Sequence, residues 1–233
     1  MSRIGASIYG TEEPVERPVF GAVVLAGGSG TRFGGDTPKQ FLSLEGRLIW
    51  RRSCDLFLHH GRIAHTVLVL PAGRTEGVSV SGLLTAAGGK TRTRSAENGV
   101  RALPEDVTHV AVHDAARPLA DAALLDALID AAAEHGAAVP VCPVASTVRY
   151  VREGRLSKAV ERDGLHEMQT PQVARRDWLL EAMAGDAEDT DEAGLLMAAG
   201  RSVAAVPAPR RNFKVTTPED LRTAAALLRG GEA

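Results

Sequence analysis

Short apolar runs alternate along the chain with longer segments that are rich in alanine and leucine. The pattern predicts strands over the apolar runs 18–25, 65–70, 108–113, 138–144 and 202–206. It predicts helices over 47–59, 93–103, 121–135, 174–184, 191–199 and 217–229. Several of the predicted strands are continuous apolar stretches, which is typical of strands covered on both faces. The alternation therefore predicts an α/β fold with a Rossmann-like, mostly parallel sheet and helices on both of its faces.

One segment, residues 145–166, departs from this alternation. Thr147 to Val151 alternates polar and apolar residues, Glu153-Gly154 is typical of a tight turn, and Leu156 to Val160 returns with a similar pattern. The segment therefore predicts a protruding two-stranded β-ribbon. Because an isolated ribbon is only marginally stable in water, we expect it to pack either on the body of its own subunit or on a partner.

Composition and charge narrow the classes of partner. The chain has 233 residues and a formal net charge of -2, so it has no bulk attraction for nucleic acid or for an anionic membrane. It contains no apolar stretch of about 18 residues, and hence no predicted membrane span. Cys54 and Cys142 lie in apolar stretches, as expected for buried thiols in a reducing cytoplasm. Residues 1–18 combine charges and prolines without an apolar core, which predicts a flexible extension.

A glycine-rich loop, residues 26–40, follows the first predicted strand and carries the cations Arg32 and Lys39. Backbone N–H groups of such a loop can surround a phosphate while the cations neutralise it. The loop is not a dinucleotide-binding fingerprint, because Phe33 stands at the third glycine position. A P-loop is also excluded. The nearest match to its motif lies at residues 84–91, and Leu84 occupies the first glycine position there. A phosphate site and a solvated turn with two surface cations remain as alternatives.

Three further segments carry chemistry at predicted element ends. Asp114 and Arg117 follow a predicted strand, so they are expected at the same sheet edge as the glycine loop. There a carboxylate can hold Mg²⁺ and an arginine can bind phosphate. Residues 88–95 combine glycines, cations and hydroxyls ahead of a helix, and Lys214 precedes a helix that Thr217 can cap. For Asp114 and Arg117 the structural alternative is a turn with an ion pair. For residues 88–95 it is a capped helix with exposed arginines.

Six motifs occur along the chain in a fixed order: A-G-G-S-G-T-R-F-x4-P-K-Q, G-G-x-x-R-x-x-S, H-D-A-A-R-P, E-R-D-G-L-x4-T-P-Q, T-D-E-A and N-F-K-V-T-x-P-E-D-L. Together they resemble the 2-C-methyl-D-erythritol 4-phosphate cytidylyltransferases of non-mevalonate isoprenoid biosynthesis, within the wider group of sugar-alcohol-phosphate cytidylyltransferases. The resemblance covers about residues 19–230, and it is the set of motifs in this order that makes it specific. It implies a nucleotidyltransferase domain over 19–230, with residues 145–166 inserted as a dimerisation arm.

The resemblance also implies a reaction. The phosphate of methylerythritol phosphate would attack the α-phosphorus of CTP, giving CDP-methylerythritol and pyrophosphate. The expected cofactor is Mg²⁺ or another divalent cation, held mainly by the triphosphate, with Asp114 as an additional candidate ligand. The expected partners are CTP, a polyol phosphate and a second copy of the chain, with no nucleic acid and no membrane.

By motif position, the resemblance assigns roles to individual residues. The expected catalytic residues are the four cations Arg32, Lys39, Arg162 and Lys214. The expected nucleotide-binding residues are Ala26, Gly27, Gly28, Gly30, Thr31, Gly89, Arg92, Ser95 and Ala115. The expected substrate-binding residues are Asp114, Arg117, Thr147, Arg162 and Lys214. In the implied homodimer the arm crosses between subunits, so that Thr147 and Arg162 would serve the active site of the partner.

Two alternatives remain open on the sequence. Ser146 and Lys90 depart from the family pattern near the expected acceptor and base positions, so the acceptor could be another polyol phosphate such as ribitol 5-phosphate. A non-catalytic nucleotide-binding protein with the same fold is the other alternative. The presence of all four expected catalytic cations favours an enzyme over that second alternative.

Overall fold

The computed structural model describes residues 17–28, 38–75 and 77–231. Within these ranges the strands are β1 (Phe20–Leu25), β2 (Ser43–Leu44), β3 (Arg47–Leu48), β4 (Ile63–Leu70), β5 (Leu83–Ala87), β6 (His109–Asp114), β7 (Ala137–Pro143), β8 (Arg149–Arg152), β9 (Arg155–Ala159), β10 (His166–Met168), β11 (Gln172–Arg175) and β12 (Ala204–Pro207). The helices are α1 (Ile49–Leu58), α2 (Arg92–Ala102), α3 (Ala122–His135), α4 (Arg176–Ala182), α5 (Glu192–Ala198) and α6 (Pro218–Arg229), with one turn of 3₁₀ helix at Lys39–Phe41.

The main sheet is mostly parallel, as predicted. Strands β5, β4, β1 and β6 lie side by side and run parallel, whereas β11 is antiparallel to both β6 and β7. Strand β7 pairs with β12, in parallel, on the side away from β11. On the side of β11, the second half of β7 pairs antiparallel with β10. Leu25 lies opposite Asp114 in the β1–β6 register. The carboxyl ends of β1 and β6 therefore meet at one point of the sheet edge.

Alternation along the strands builds a core on each face of the sheet. Ala22 and Val24 of β1 point to the face covered by α1 and α3, where Phe57 and Leu128 are fully buried. Val23 points to the opposite face, which is covered by α2, α4 and α5. These two apolar layers confirm the prediction of helices on both faces, and they leave the sheet edges as the places where polar side chains can converge.

Helix α2 lies unusually close to the sheet. A Cβ atom added to Gly99 would lie 2.3 Å from Val23 Cγ1 and 2.8 Å from Val69 Cγ2, so only glycine permits this approach. The start of α2 is fixed by Thr91, whose side chain accepts a hydrogen bond from the Arg94 N–H. The first turn of α2 is therefore held next to the carboxyl end of β1.

The predicted boundaries are confirmed for most elements, but the helix predicted over 174–184 is wrong at its start. Residues Gln172–Arg175 form β11, which pairs with β6 and β7, and α4 begins only at Arg176. Strand β5 was missing from the prediction because its half-exposed residues lie at the edge of the sheet and carry no continuous apolar run. None of the helices in the described ranges is long and apolar enough to cross a membrane.

The predicted ribbon forms. Strands β8 and β9 pair antiparallel around a turn in which Glu153 has a φ of 50° and Gly154 a φ of 75°. Every residue of both strands is exposed. The ribbon therefore projects from the body of the subunit that carries it. The predicted extension over 1–18 falls almost wholly outside the described residues.

Candidate functional site

A cavity of about 410 Å³ opens where β1 and β6 end and α2 begins. Among the described residues it is lined by Leu25, Ala26, Gly27, Gly28, Lys39, Gln40, Gly89, Lys90, Thr91, Arg92, Ser95, Asp114, Ala116 and Lys214. The cavity thus brings together the glycine-rich loop, the segment 88–95 and Asp114. It adds Lys214 from the segment before α6. Gly30, Thr31 and Arg32, to which the sequence assigned roles, lie outside the described residues.

The described part of the glycine loop is held by Gln40. This side chain is buried, and its amide nitrogen donates hydrogen bonds of 2.7 Å to the carbonyl oxygens of both Ala26 and Gly28. The Ala26 N–H in turn donates to the Val69 carbonyl of β4 at 2.8 Å. The backbone of Ala26, Gly27 and Gly28 is therefore fixed against the sheet, and Lys39 is held beside it at the cavity wall.

The start of α2 forms the opposite wall. The Gly89 N–H donates to Ser95 Oγ at 3.0 Å, and the Ser95 hydroxyl donates to the Thr91 carbonyl at 2.8 Å. A Cβ atom on Gly89 would lie 2.4 Å from Arg94 Cβ, so the turn requires glycine here. Gly89, Arg92 and Ser95 thus meet in one compact turn that lines the cavity.

Asp114 is the centre of the charged network. Its Oδ2 accepts a hydrogen bond of 2.6 Å from Lys214 Nζ, and its Oδ1 lies 3.3 Å from Arg92 Nη2 and 3.4 Å from Arg92 Nε. Burial alone would raise the pKa of Asp114, but the charges of Arg92 and Lys214 outweigh it and hold that pKa well below its usual range. Asp114 is therefore ionised throughout the physiological range.

Arg92 is paired on its other side with a buried carboxylate. Its Nη1 donates to Glu192 Oε1 at 2.7 Å and its Nη2 to Glu192 Oε2 at 3.1 Å, while Glu192 is only 1% exposed. Glu192 is the first residue of α5, whose cap Asp191 accepts a hydrogen bond of 3.0 Å from the Gln172 amide. The fifth motif of the sequence, to which no site residue was assigned, therefore supplies a partner to the site.

His113 supports the floor of the site from below. The Thr170 hydroxyl oxygen accepts from the Asp114 N–H at 3.0 Å, so its proton is donated to His113 Nδ1 at 3.0 Å. His113 Nε2 then donates to the Arg117 carbonyl at 3.1 Å. Burial, the largest influence, lowers the pKa of His113 from 6.5 to about 4, which keeps the imidazole neutral.

A second cavity, of about 340 Å³, shares Lys214 with the first. Its described lining consists of Arg117, Cys142, Pro143, Val144, Ala145, Ser146, Glu167, Met168, Gln169, Arg210, Phe213 and Lys214. Arg117 is fixed there by hydrogen bonds to the carbonyls of Asn212 at 2.9 Å and Met168 at 3.3 Å. The Val215 N–H donates to the Ala116 carbonyl at 2.8 Å and anchors the segment that carries Lys214.

Three predicted site residues do not line either cavity in the described part of the chain. Ala115 lies beneath the first cavity, where its N–H donates to Leu25 and its carbonyl accepts from Ser53. Thr147 is exposed at the base of the ribbon. Arg162 is exposed as well, and its Nη1 donates to the carbonyl of Ala145, which lines the second cavity. Thr147 and Arg162 therefore lie beside the second cavity and line neither cavity.

No role was predicted for Gln40, Thr170, Glu192 or Asn212, although each lies in one of the six motifs. The fully buried Asn212 donates to Gln169 Oε1 at 2.8 Å and to the Thr170 carbonyl at 3.0 Å. Gln40, Thr170 and Asn212 hydrogen-bond the backbone around the site. Glu192 instead binds the side chain of Arg92. A motif position that carries an amide or a carboxylate without an assigned ligand was the signal that could have found them.

The described lining of the first cavity offers one candidate ligand for a divalent cation. Among the described residues no group of three or more histidine, cysteine, aspartate or glutamate side chains could hold a metal ion. Asp114 is the one carboxylate in the described lining of the first cavity, and both of its oxygens already accept hydrogen bonds. A divalent cation bound here would therefore need most of its ligands from phosphate and water.

Comparison with known proteins identifies close relatives. A family model described as 2-C-methyl-D-erythritol 4-phosphate cytidylyltransferase matches residues 20–230. A protein of that name from Salinibacter ruber is 42% identical over 217 residues, covering 88% of this chain and 91% of its own. One from Frankia casuarinae is 40% identical over 221 residues, covering 92% of this chain and 83% of its own. The crystal structure of the enzyme of that name from Thermus thermophilus superimposes with a TM-score of 0.76 at 32% identity, covering 89% of this chain and 98% of that one.

Proposed function

The chain belongs to the family of 2-C-methyl-D-erythritol 4-phosphate cytidylyltransferases, and we propose that its two cavities are the CTP and acceptor subsites of that reaction. The enzyme is a nucleotidyltransferase that acts in non-mevalonate isoprenoid biosynthesis. It transfers the cytidylyl group of CTP to 2-C-methyl-D-erythritol 4-phosphate.

One observation carries the assignment of the subsites: Lys214 lines both cavities. The first cavity is bounded by glycine backbone and Lys39, which suits a triphosphate. The second contains Arg117, held by two carbonyls so that its guanidinium is oriented, which suits a phosphate monoester. A cation at the boundary lies where an attacking phosphate and an α-phosphoryl group have to meet.

In the proposed reaction an oxygen of the acceptor phosphate forms a bond to the α-phosphorus while the bond from that phosphorus to pyrophosphate breaks. The acceptor phosphate is already ionised, so no general base is required, and catalysis depends on positioning and on stabilising the charge of the transition state. Lys39 and, by motif position, Arg32 would act on the triphosphate side. When bound with the triphosphate, Mg²⁺ would neutralise part of its charge.

The ribbon supports a homodimer as part of the proposal. Its apolar side chains Tyr150, Val151 and Leu156 are 57%, 62% and 75% exposed, which is unfavourable in a monomer. If a second copy covers these side chains, Thr147 and Arg162 of the first copy would also approach the second cavity of that other copy. Leu156→Asp should shift the mass in sedimentation from dimer to monomer, while Met197→Asp, at an exposed apolar residue on the body, should not. A monomeric parent protein would contradict the dimer.

We also propose a cytoplasmic location. Cys54 and Cys142 are unpaired and buried, which suits a reducing compartment. Recovery of the enzyme from an oxidising compartment after fractionation of its own cells would overturn this part.

Pyrophosphate release tests the function. The assay pairs CTP, ATP, GTP or UTP with either 2-C-methyl-D-erythritol 4-phosphate or ribitol 5-phosphate. We expect release with CTP and methylerythritol phosphate at a kcat/KM at least about a hundredfold above every other pairing. Preference for ribitol 5-phosphate would move the acceptor assignment to another polyol phosphate. CTP binding without pyrophosphate release from either acceptor would contradict a catalytic role.

A further inference from the structure

Four side chains form a row of alternating charges that begins outside both cavities and ends between them. Glu192 lies in the described lining of neither cavity, and it binds Arg92 through two hydrogen bonds of 2.7 and 3.1 Å. Arg92 faces Asp114 at 3.3 Å, and Asp114 binds Lys214 at 2.6 Å. We call Glu192, Arg92, Asp114 and Lys214 the charge row.

The donors of Arg92 are almost all used within this row. A guanidinium has five N–H groups. Glu192 accepts from one on each Nη, and Asp114 accepts from Nε and from Nη2. One N–H, on Nη1, is left for any other partner. Although Arg92 lines the first cavity, it is therefore poorly placed to bind a substrate through a bidentate pair of hydrogen bonds. It is well placed to hold Asp114.

Stability alone does not account for Glu192. A buried ion pair is often no more stable than well-packed apolar residues of similar volume, because both charges lose their hydration. Burial raises the pKa of Glu192, and the charge of Arg92 offsets this only in part. The carboxylate is also held in place by its surroundings, since the Gln172 side chain bridges Asp191 and the Ala193 N–H on either side of it. This arrangement fixes the orientation of the Glu192 side chain.

We infer that Glu192 is a positioning residue for the transfer reaction, acting through Arg92 and Asp114 to fix the ammonium group of Lys214 between the two cavities. The inference rests on the proposed function, in which Lys214 faces the acceptor phosphate. If Glu192 loses its charge, Arg92 is left with Asp114 as its sole carboxylate partner in the row. Arg92 then competes with Lys214 for that carboxylate, and Lys214 loses its fixed position.

The first test is Glu192→Gln, which keeps the shape of the side chain and removes its charge. We expect kcat/KM for the acceptor to fall at least about tenfold, because misplaced catalytic groups lose orientation. The KM for CTP should change by less than about threefold, because the glycine loop and Lys39 are untouched. The matched control is Glu97→Gln on the same helix as Arg92, since Glu97 pairs with Arg94 and Arg101 away from both cavities. It should leave both kinetic values unchanged.

A double-mutant cycle separates positioning from a general structural effect. If Glu192 acts through Lys214, adding Glu192→Gln to Lys214→Ala should lower acceptor kcat/KM by less than about twofold further. Independent effects of the two changes, or a Glu192→Gln enzyme with parental kinetics, would overturn the inference. If Glu192→Gln does not fold, the double variant Glu192→Gln/Arg92→Gln replaces it, because this variant buries two neutral amides in place of an unpaired charge. The cycle then combines that double variant with Lys214→Ala.

The outcome is distinct from that of the proposed function. A parent enzyme that releases no pyrophosphate with CTP and methylerythritol phosphate would contradict the function itself. An active parent with independent effects in the cycle would contradict only the role of Glu192.

Discussion

Acidification should destabilise the fold through His113, the fully buried histidine next to Asp114. In the folded state His113 Nε2 donates to the Arg117 carbonyl and Nδ1 accepts from the Thr170 hydroxyl, so the ring has no place for a second proton without breaking the bond to Thr170. Burial lowers its pKa from 6.5 to about 4. The unfolded chain therefore binds a proton at a higher pH than the folded chain does.

The sign and size of the effect follow from proton linkage. Between pH 6.5 and about 4 the unfolded state carries more protons on this group, so lower pH favours unfolding. The contribution of His113 to stability is present above pH 6.5 and is lost as the pH falls through that window. The full loss is about 3 kcal/mol, and about 2 kcal/mol of it should occur between pH 7 and pH 5.

The assay is denaturant unfolding of the parent and of His113→Gln at several pH values. Other groups titrate in both proteins, so the comparison isolates His113. The variant should be less stable at pH 7, and its curve should fall less steeply, with the two curves converging by about 2 kcal/mol at pH 5. His166→Gln, which replaces an exposed histidine of β10, serves as control for the substitution itself. Parallel curves for His113→Gln would refute the reasoning.

Three more predictions follow from the described geometry. Lys39→Ala should lower turnover by about a hundredfold or more in the pyrophosphate assay, because it removes a cation from the cavity wall, and parental turnover would disprove this role. Gly99→Ala should lower the free energy of unfolding by about 1–3 kcal/mol, since the new methyl group overlaps Val23, and an unchanged unfolding midpoint would contradict that contact. Gln40→Ala should raise the KM for CTP about tenfold by releasing two loop carbonyls, whereas an unchanged KM would show that the loop is held by other contacts.

The main layers of the fold could be predicted because they depend on local periodicity. The apolar runs within β1, β4, β6 and β7 and the caps of the helices depend on neighbouring residues. Strand β11 could not be recognised in the same way. Residues Gln172–Arg175 become a strand because β6 and β7 leave a place between them, and that pairing is made with residues far away in sequence.

The site shows the same division between local and distant information. Glycine, cation and hydroxyl segments were visible as phosphate chemistry, and the structure brings their described parts to one cavity. Arg92 and Glu192 are 100 residues apart, as are Asp114 and Lys214. No local pattern states that these charges pair. The sequence could therefore nominate Arg92, Asp114 and Lys214 but neither Glu192 nor the pairs in which these charges neutralise one another.

The proposed site would bind two anionic substrates although the carboxylate of Asp114 lies at its centre. The pairing of charges accounts for this. The formal charges of the charge row cancel, since it contains two carboxylates and two cations. The other charged residues in the described linings are Lys39 and Lys90 in the first cavity, and Arg117, Arg210 and Glu167 in the second. Each cavity thus keeps an excess of positive charge in a protein whose net charge is -2. The charge row fixes the position of Lys214 without removing the local potential that draws phosphate groups from either side.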